Sequence, residues 1–135
     1  MPDCIFCKII KGEIPSHKVY EDKKVFAFLD INPVNIGHVL VVPKNHSLDL
    51  SEMTDQDIKD VFLAAKKIAD AVMKGTGAAG FNLGMNNKKA AGQLVMHSHL
   101  HIIPRFEGDG LKHWPGKKYA ESEAERIRAD ISKLL

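Results

Sequence analysis

Histidines at positions 97, 99 and 101 alternate with Ser98 and Leu100 and run on into Ile102 and Ile103, so one short segment carries two interleaved sets of side chains. Successive side chains of an extended chain face opposite ways. The three imidazoles therefore share one face at a spacing of about 7 Å, while Leu100 and Ile102 face a core. The pattern predicts a strand over 94–103, in a sheet with one covered face and one chemically active face. A merely solvated face does not call for imidazole, since Thr, Lys or Glu serve as well. Two chemistries suit such a row: a three-histidine zinc site of the hydrolytic kind, or a histidine nucleophile whose neighbours bind an anion.

The rest of the chain limits the setting. Its 135 residues, 44% hydrophobic and 27% charged, suit one globular domain with a core and room for a cleft. Apolar runs such as 39–42 and 68–73 are far too short to cross a bilayer and no secretory leader is recognisable, so a cytoplasmic location is expected. Nineteen basic against seventeen acidic residues give a charge of +2, which gives no reason to expect nucleic acid or a membrane as partner. Cys4 and Cys7 are too few and too close together to staple a secreted scaffold; in a reducing compartment their spacing suggests metal or redox chemistry.

Apolar Ile5, Phe6, Ile9 and Ile10 predict a short helix over 4–11, ended by Gly12 and Pro15. Residues 19–20 and 25–29 flank a charged turn, as in a hairpin, and the loop 31–37 returns into a strand over 39–42 whose unbroken apolar run predicts burial on both faces. Thr54 with Asp57 opens the clearest helix. Ile58, Val61, Phe62, Ala65, Ile68, Ala69 and Val72 recur at helical spacing, and Gly75 and Gly77 end it. A strand over 81–85, a polar loop over 86–92 and the histidine strand, ended by Pro104, follow; the tail 119–135 carries a weaker helical pattern through Ala124, Ile127, Ile131 and Leu134. Strands in runs with helices set apart predict an α+β fold: a five-stranded antiparallel sheet with one long helix and a C-terminal helix.

The histidine segment, with Ala91-Gly92-Gln93 before it and Pro104-Arg105 after it, resembles the histidine triad family. Agreement extends to Ile5-Phe6-Cys7-Lys8-Ile9-Ile10, to Phe28-Leu29-Asp30-Ile31, to the stretch from Gly37-His38 to Asn45-His46, and to His113-Trp114-Pro115-Gly116, which is similar to the family's nucleotide-binding branch. The resemblance implies a domain over 1–116, a helical extension over 117–135, and a homodimer in which two sheets join.

It also implies a hydrolase or transferase acting at the α-phosphate of nucleoside phosphoramidates, aminoacyl adenylates or dinucleoside polyphosphates, with a purine nucleotide as substrate and a nucleotidyl-histidine intermediate. His99 matches the nucleophile. His101 matches a group that binds a phosphate oxygen, His38 a supporting histidine, and Gln93 and Asn86 positions that contact the phosphate or its leaving group. Asp30 matches the acceptor for ribose hydroxyls, although Asp before Asn32 and Pro33 is also a turn former. Phe6, Ile9, Phe28, Ile31 and Leu40 match the walls around base and sugar, and equally suit a core. Cys4, Cys7, His46 and His97 match the structural zinc ligands of some relatives, which would make His97 an anchor; two reduced, buried cysteines are the plainer alternative. His17 and His113 carry no signal of their own. One departure stands out: Leu94 occupies a position where this branch commonly has Ser or Thr, so the leaving group lacks a hydroxyl donor and phosphoramidate cleavage is less favoured than nucleotidyl transfer in general. A nucleotide-binding regulatory module with incidental turnover is the competing function.

Overall fold

The computed structural model describes residues 3–135. Five antiparallel strands, β1 (Lys18–Glu21), β2 (Val25–Leu29), β3 (Val39–Pro43), β4 (Gly80–Gly84) and β5 (Leu100–Arg105), form one sheet in the order β1-β2-β3-β5-β4. Three helices accompany it: α1 (Ile5–Ile10), α2 (Asp55–Thr76) and α3 (Glu123–Ser132). The expected α+β architecture is present.

Alternation along β3 explains its unbroken apolar run. Val39 and Val41 join Val25, Ala27, Leu100 and Ile102 under the buried face of α2, formed by Val61, Ala65, Ile68, Ala69 and Val72. Leu40 and Val42 point the other way, into a smaller cluster with Phe26, Phe28 and the α1 residues Phe6 and Ile9. Both faces of the central strand are thus covered, one by each helix, and all five β3 residues are buried.

Helix α2 starts as its sequence implies, with Thr54 Oγ1 accepting from the Asp57 backbone N–H at 3.0 Å. Asp57 does not close the reciprocal half of a capping box; its carboxylate accepts from the Asn45 amide instead. Gly75 lies inside the helix, and Gly77 alone terminates it, in the left-handed region at φ 73°. A single glycine costs a packed helix only about 1 kcal/mol, too little to stop one that is still burying Val72. Phe62, expected on the inner face, is exposed.

Two further differences bear on the site. β5 begins at Leu100, not near residue 94, so His97 and His99 precede the strand. Pro104 does not end it: β3 pairs only as far as Ile102, and Pro104 continues in register opposite Phe81 of β4. Helix α3 is shorter than its pattern suggested and buries no residue. No helix among the described residues is long and apolar enough to cross a membrane.

Candidate functional site

Cross-strand register aligns Phe28, Leu40, His101 and Gly84 in one row on the α1 face of the sheet. Gly84 leaves the flank of His101 open, since a Cβ there would meet no atom within 4 Å. Residues 97–99 reach this face by an irregular path. The ring centroids of His99 and His101 are 4.9 Å apart, less than the roughly 7 Å between alternate residues of an extended chain, and Phe6 packs edge-on against both His97 and His99.

Backbone groups set the tautomer of each ring in turn. The Val34 N–H donates to His38 Nδ1 at 3.1 Å, so the His38 proton sits on Nε2 and is donated to His101 Nδ1 at 2.9 Å. His101 must then carry its own proton on Nε2, and that atom is buried with no partner among the described residues. His99 Nδ1 lies 2.7 Å from the His97 carbonyl and donates to it, which leaves a lone pair on His99 Nε2. His97 Nε2 donates to the Pro43 carbonyl at 2.8 Å, which leaves its lone pair on Nδ1. The result is a free lone pair on His99 Nε2 and an unpartnered N–H on His101, while the His97 lone pair faces the cysteines.

Burial keeps these rings neutral. It lowers the pKa of His99, and it brings His101 to about 4, helped by its neighbours His99 and His38. His38 is also lowered by burial, against the pull of Asp30, whose Oδ2 lies 3.7 Å from His38 Nε2. His38 owes its place to the chain before it. Gly37, at φ 99°, passes so close to Thr76 that a Cβ would stand 2.6 Å from Thr76 Cγ2. Asn35 then fastens the loop by donating to the Pro104 carbonyl and to Asp109.

Beyond this triad, the ligand atoms of Cys4, Cys7, His46 and His97 all lie within 4.8 Å of one another. A tetrahedral zinc with Zn–N of about 2.0–2.1 Å and Zn–S of about 2.3 Å sets its nitrogens about 3.3 Å apart and each nitrogen–sulfur pair about 3.5 Å apart. The corresponding distances are 3.2 Å between the two Nδ1 atoms and 3.4, 3.5 and 3.6 Å from sulfur to nitrogen. Since Pro43 fixes the His97 proton on Nε2, its Nδ1 is free to ligate, so the donor set fits a structural metal. Without one, burial and the neighbouring Cys4 thiol raise the pKa of Cys7. Asp30, His38 and His101 also lie close together, but the His38 Nε2 proton is already engaged with His101, which removes the lone pair a metal would need. The three triad rings do not converge on one point: His97 turns to the cysteines while His38 takes up His101, which contradicts the three-histidine metal reading.

The other expected residues divide. Asp30 follows β2, with Oδ1 accepting from the Asn32 N–H, as a turn former does, and Oδ2 facing His38. Phe6, Ile9, Phe28 and Leu40 are buried in the cluster on the α1 face of the sheet, whereas Ile31 is exposed. Asn86 is half-buried, 3.7 Å through its Nδ2 from where a Gly92 Cβ would lie. Gln93 is buried, but both its amide hydrogens are held by the carbonyls of Leu48 and Val95, and its oxygen accepts from the Lys88 N–H. Contact with phosphate through this amide would have to replace one of those bonds. Sequence reasoning missed Pro43, Ser47 and Ser98, because what they contribute depends on a backbone path that no residue type announces.

The HIT domain profile matches residues 11–108, and the chain belongs to this family. A crystal structure of a HIT-family member from Bacillus subtilis superposes with a TM-score of 0.89 at 46% identity, covering 98% of this chain and 97% of that one. Adenosine 5'-monophosphoramidase hnt1 of Schizosaccharomyces pombe is 40% identical over 134 residues, 98% of each chain. A zinc-bound histidine triad protein from Mycobacterium smegmatis is 36% identical, with a TM-score of 0.79 over 98% of this chain and 96% of that one.

Proposed function

We propose that the chain hydrolyses or transfers the nucleoside monophosphate group of phosphoramidates, aminoacyl adenylates or dinucleoside polyphosphates by attack of His99 Nε2 on the α-phosphorus. The observation that carries this reading is the pairing of a free lone pair on His99 with an unpartnered N–H on His101. A neutral imidazole is a capable nucleophile at pH 7. As its electrons form the P–N bond, the bond to the leaving group breaks, and the leaving group takes the electron pair and, where it is an amine, a proton from solvent. Charge gathers on the non-bridging oxygens, to which the unpartnered His101 Nε2–H can donate. Positive charge developing on His99 is eased by the Nδ1–H bond to the His97 carbonyl. Water then attacks the adduct, releasing the monophosphate and a proton and restoring neutral His99.

Asp30 Oδ2 takes the ribose hydroxyls in this reading, with Phe6, Ile9, Phe28, Ile31 and Leu40 around base and sugar. Asn86 donates to the phosphate side, and Gln93 shapes the loop that presents it. The phosphoramidase activity named for the S. pombe relative supports the reaction class. Cys4, Cys7, His46 and His97 would hold a structural zinc. Four protein ligands leave no position for activating water, so the metal would anchor the N-terminus and His97. The zinc-bound mycobacterial relative supports this assignment.

A homodimer completes the proposal. The edge strand β4 leaves Phe81 and Leu83 exposed on the α2 side of the sheet, where Phe62 and Leu63 of α2 are exposed too. Light scattering should give twice the chain mass, falling to one chain mass in Leu83→Asp. The main test is His99→Ala: turnover should fall by about three orders of magnitude or more while monophosphate binding persists. Near-normal turnover would refute the mechanism, and tight binding in the unmodified protein with no turnover on any of these substrates would favour the regulatory module.

A further inference from the structure

The peptide between His97 and Ser98 lies outside every strand, yet both of its ends are engaged. Its N–H, on Ser98, donates to the Ser47 carbonyl at 2.8 Å. Its C=O, on His97, accepts the Nδ1 proton of His99 at 2.7 Å. These groups belong to one rigid plane and point in opposite directions. Whatever fixes the Ser98 end therefore fixes the acceptor that holds His99 in its reactive tautomer.

The Ser98 end is fixed more heavily than one backbone bond requires. Ser47 and Ser98 are both buried. The Ser47 hydroxyl donates to Ser98 Oγ at 2.9 Å, and the Ser98 hydroxyl donates back to the Ser47 carbonyl at 3.2 Å. Three bonds thus join two residues 51 positions apart, with no solvent to compete. Each serine directly follows a histidine of the metal-compatible cluster, His46 before Ser47 and His97 before Ser98. The two imidazoles meet at 3.2 Å through their Nδ1 atoms, and the serines tie the same two backbones together.

We propose that Ser47 and Ser98 are positioning residues, a strut that holds the His97–Ser98 peptide between the Ser47 carbonyl and His99 Nδ1 and so couples closure of the cysteine–histidine cluster to the tautomer and aim of His99. The inference rests on the reading of His99 as nucleophile and of the cluster as a zinc site. Loss of a hydroxyl leaves the Ser98 N–H bond to the Ser47 carbonyl to hold the plane with less support, so His46 and His97 meet at a less fixed separation and the acceptor for His99 Nδ1–H is held less firmly. Substrate contacts lie on other residues and are unchanged.

The experiment compares the unmodified chain with Ser98→Ala, and with Ser47→Ala, which keeps the Ser47 carbonyl, by three readouts. Zinc affinity is measured by competition with a chromophoric chelator, the His99 tautomer by nitrogen-15 shifts of labelled histidines with and without zinc, and kcat and KM on an adenosine 5'-phosphoramidate. We expect zinc to bind about tenfold more weakly, kcat to fall about tenfold with KM nearly unchanged, and the His99 nitrogens to move from a single-tautomer pattern toward the average of two. A double variant no worse than either single one would show that the hydroxyls act as a unit. A lower Tm with zinc affinity, tautomer and kcat all unmoved would overturn the strut and leave the nucleophile standing. A nucleotidyl adduct found on another residue would overturn the proposed function, while the zinc and tautomer readouts would still decide the strut.

Discussion

Lowering the pH from 7 to 5 should destabilise the fold through its buried histidines, and the loss can be worked out for His101. Its pKa is about 4 in the folded chain against 6.5 unfolded, because burial and the rings of His99 and His38 oppose its charge. Between those values the unfolded state binds the proton and the folded state does not. Stability from this ring is thus fully present above pH 6.5, is lost as pH falls through the window, and changes no further below about 4. At pH 5 the loss is about 2 kcal/mol for His101. His97, also brought to about 4 by burial, adds to it with the same sign. Carboxylates act lower: Asp49 is held at about 2 by the Lys88 ammonium, and Asp109 is held well below the usual carboxylate range by Arg105, so their contributions fade below pH 4. Urea denaturation of the unmodified chain and of His101→Asn at both pH values isolates the term, since the other contributions largely cancel in the difference. The variant should lose about 2 kcal/mol less between pH 7 and 5. Equal losses in the two proteins would refute the claim that partly buried His101 is held neutral in the folded chain.

Three shorter predictions test the surroundings. Gly84→Val places side-chain bulk beside His101, where the glycine leaves open space, and should cut turnover at least tenfold with little change in Tm; unchanged kcat/KM would show that substrate does not use that flank. Chelation, or Cys7→Ser, should lower Tm before it lowers activity, because a structural zinc site contributes on the order of 10 kcal/mol to its fold; activity lost at unchanged Tm would point to a catalytic metal. Leu94→Ser restores a hydroxyl donor and should raise phosphoramidate turnover more than turnover of an acyl adenylate, where the leaving carboxylate needs no proton; equal gains would refute the leaving-group argument.

Residue pattern alone revealed the sheet and α2, because the period of two in β5 and the helical spacing from Val61 to Val72 each report which side of an element is covered. Resemblance to the histidine triad family supplied His99, His101, Asp30 and the cysteine–histidine cluster, and the structure brings the cluster residues within ligating distance of one another. What lay beyond the sequence depends on backbone direction. The tautomers are set by the Val34 N–H and by the carbonyls of Pro43 and His97, backbone groups that do not depend on the side chain. Their aim follows from a non-strand path over 97–99, hidden by an alternation that looks like uninterrupted strand. Gln93 shows the same limit: its amide suits a phosphate, and only the positions of Leu48, Val95 and Lys88 show that it is engaged elsewhere. Gly75 failed as a helix stop because packing of the surrounding turns outweighs its small intrinsic cost.

The central claim, that His99 Nε2 carries the nucleotidyl group, is tested most directly by rapid mixing with an adenosine 5'-phosphoramidate, quenching in base where P–N bonds survive, and mapping the adduct by peptide mass spectrometry. The account predicts one adenylyl group on the peptide containing residues 97–101, located on His99 and missing from His99→Gln. Steady turnover with no adduct, or an adenylyl group on His97, His101 or any other residue, would contradict it.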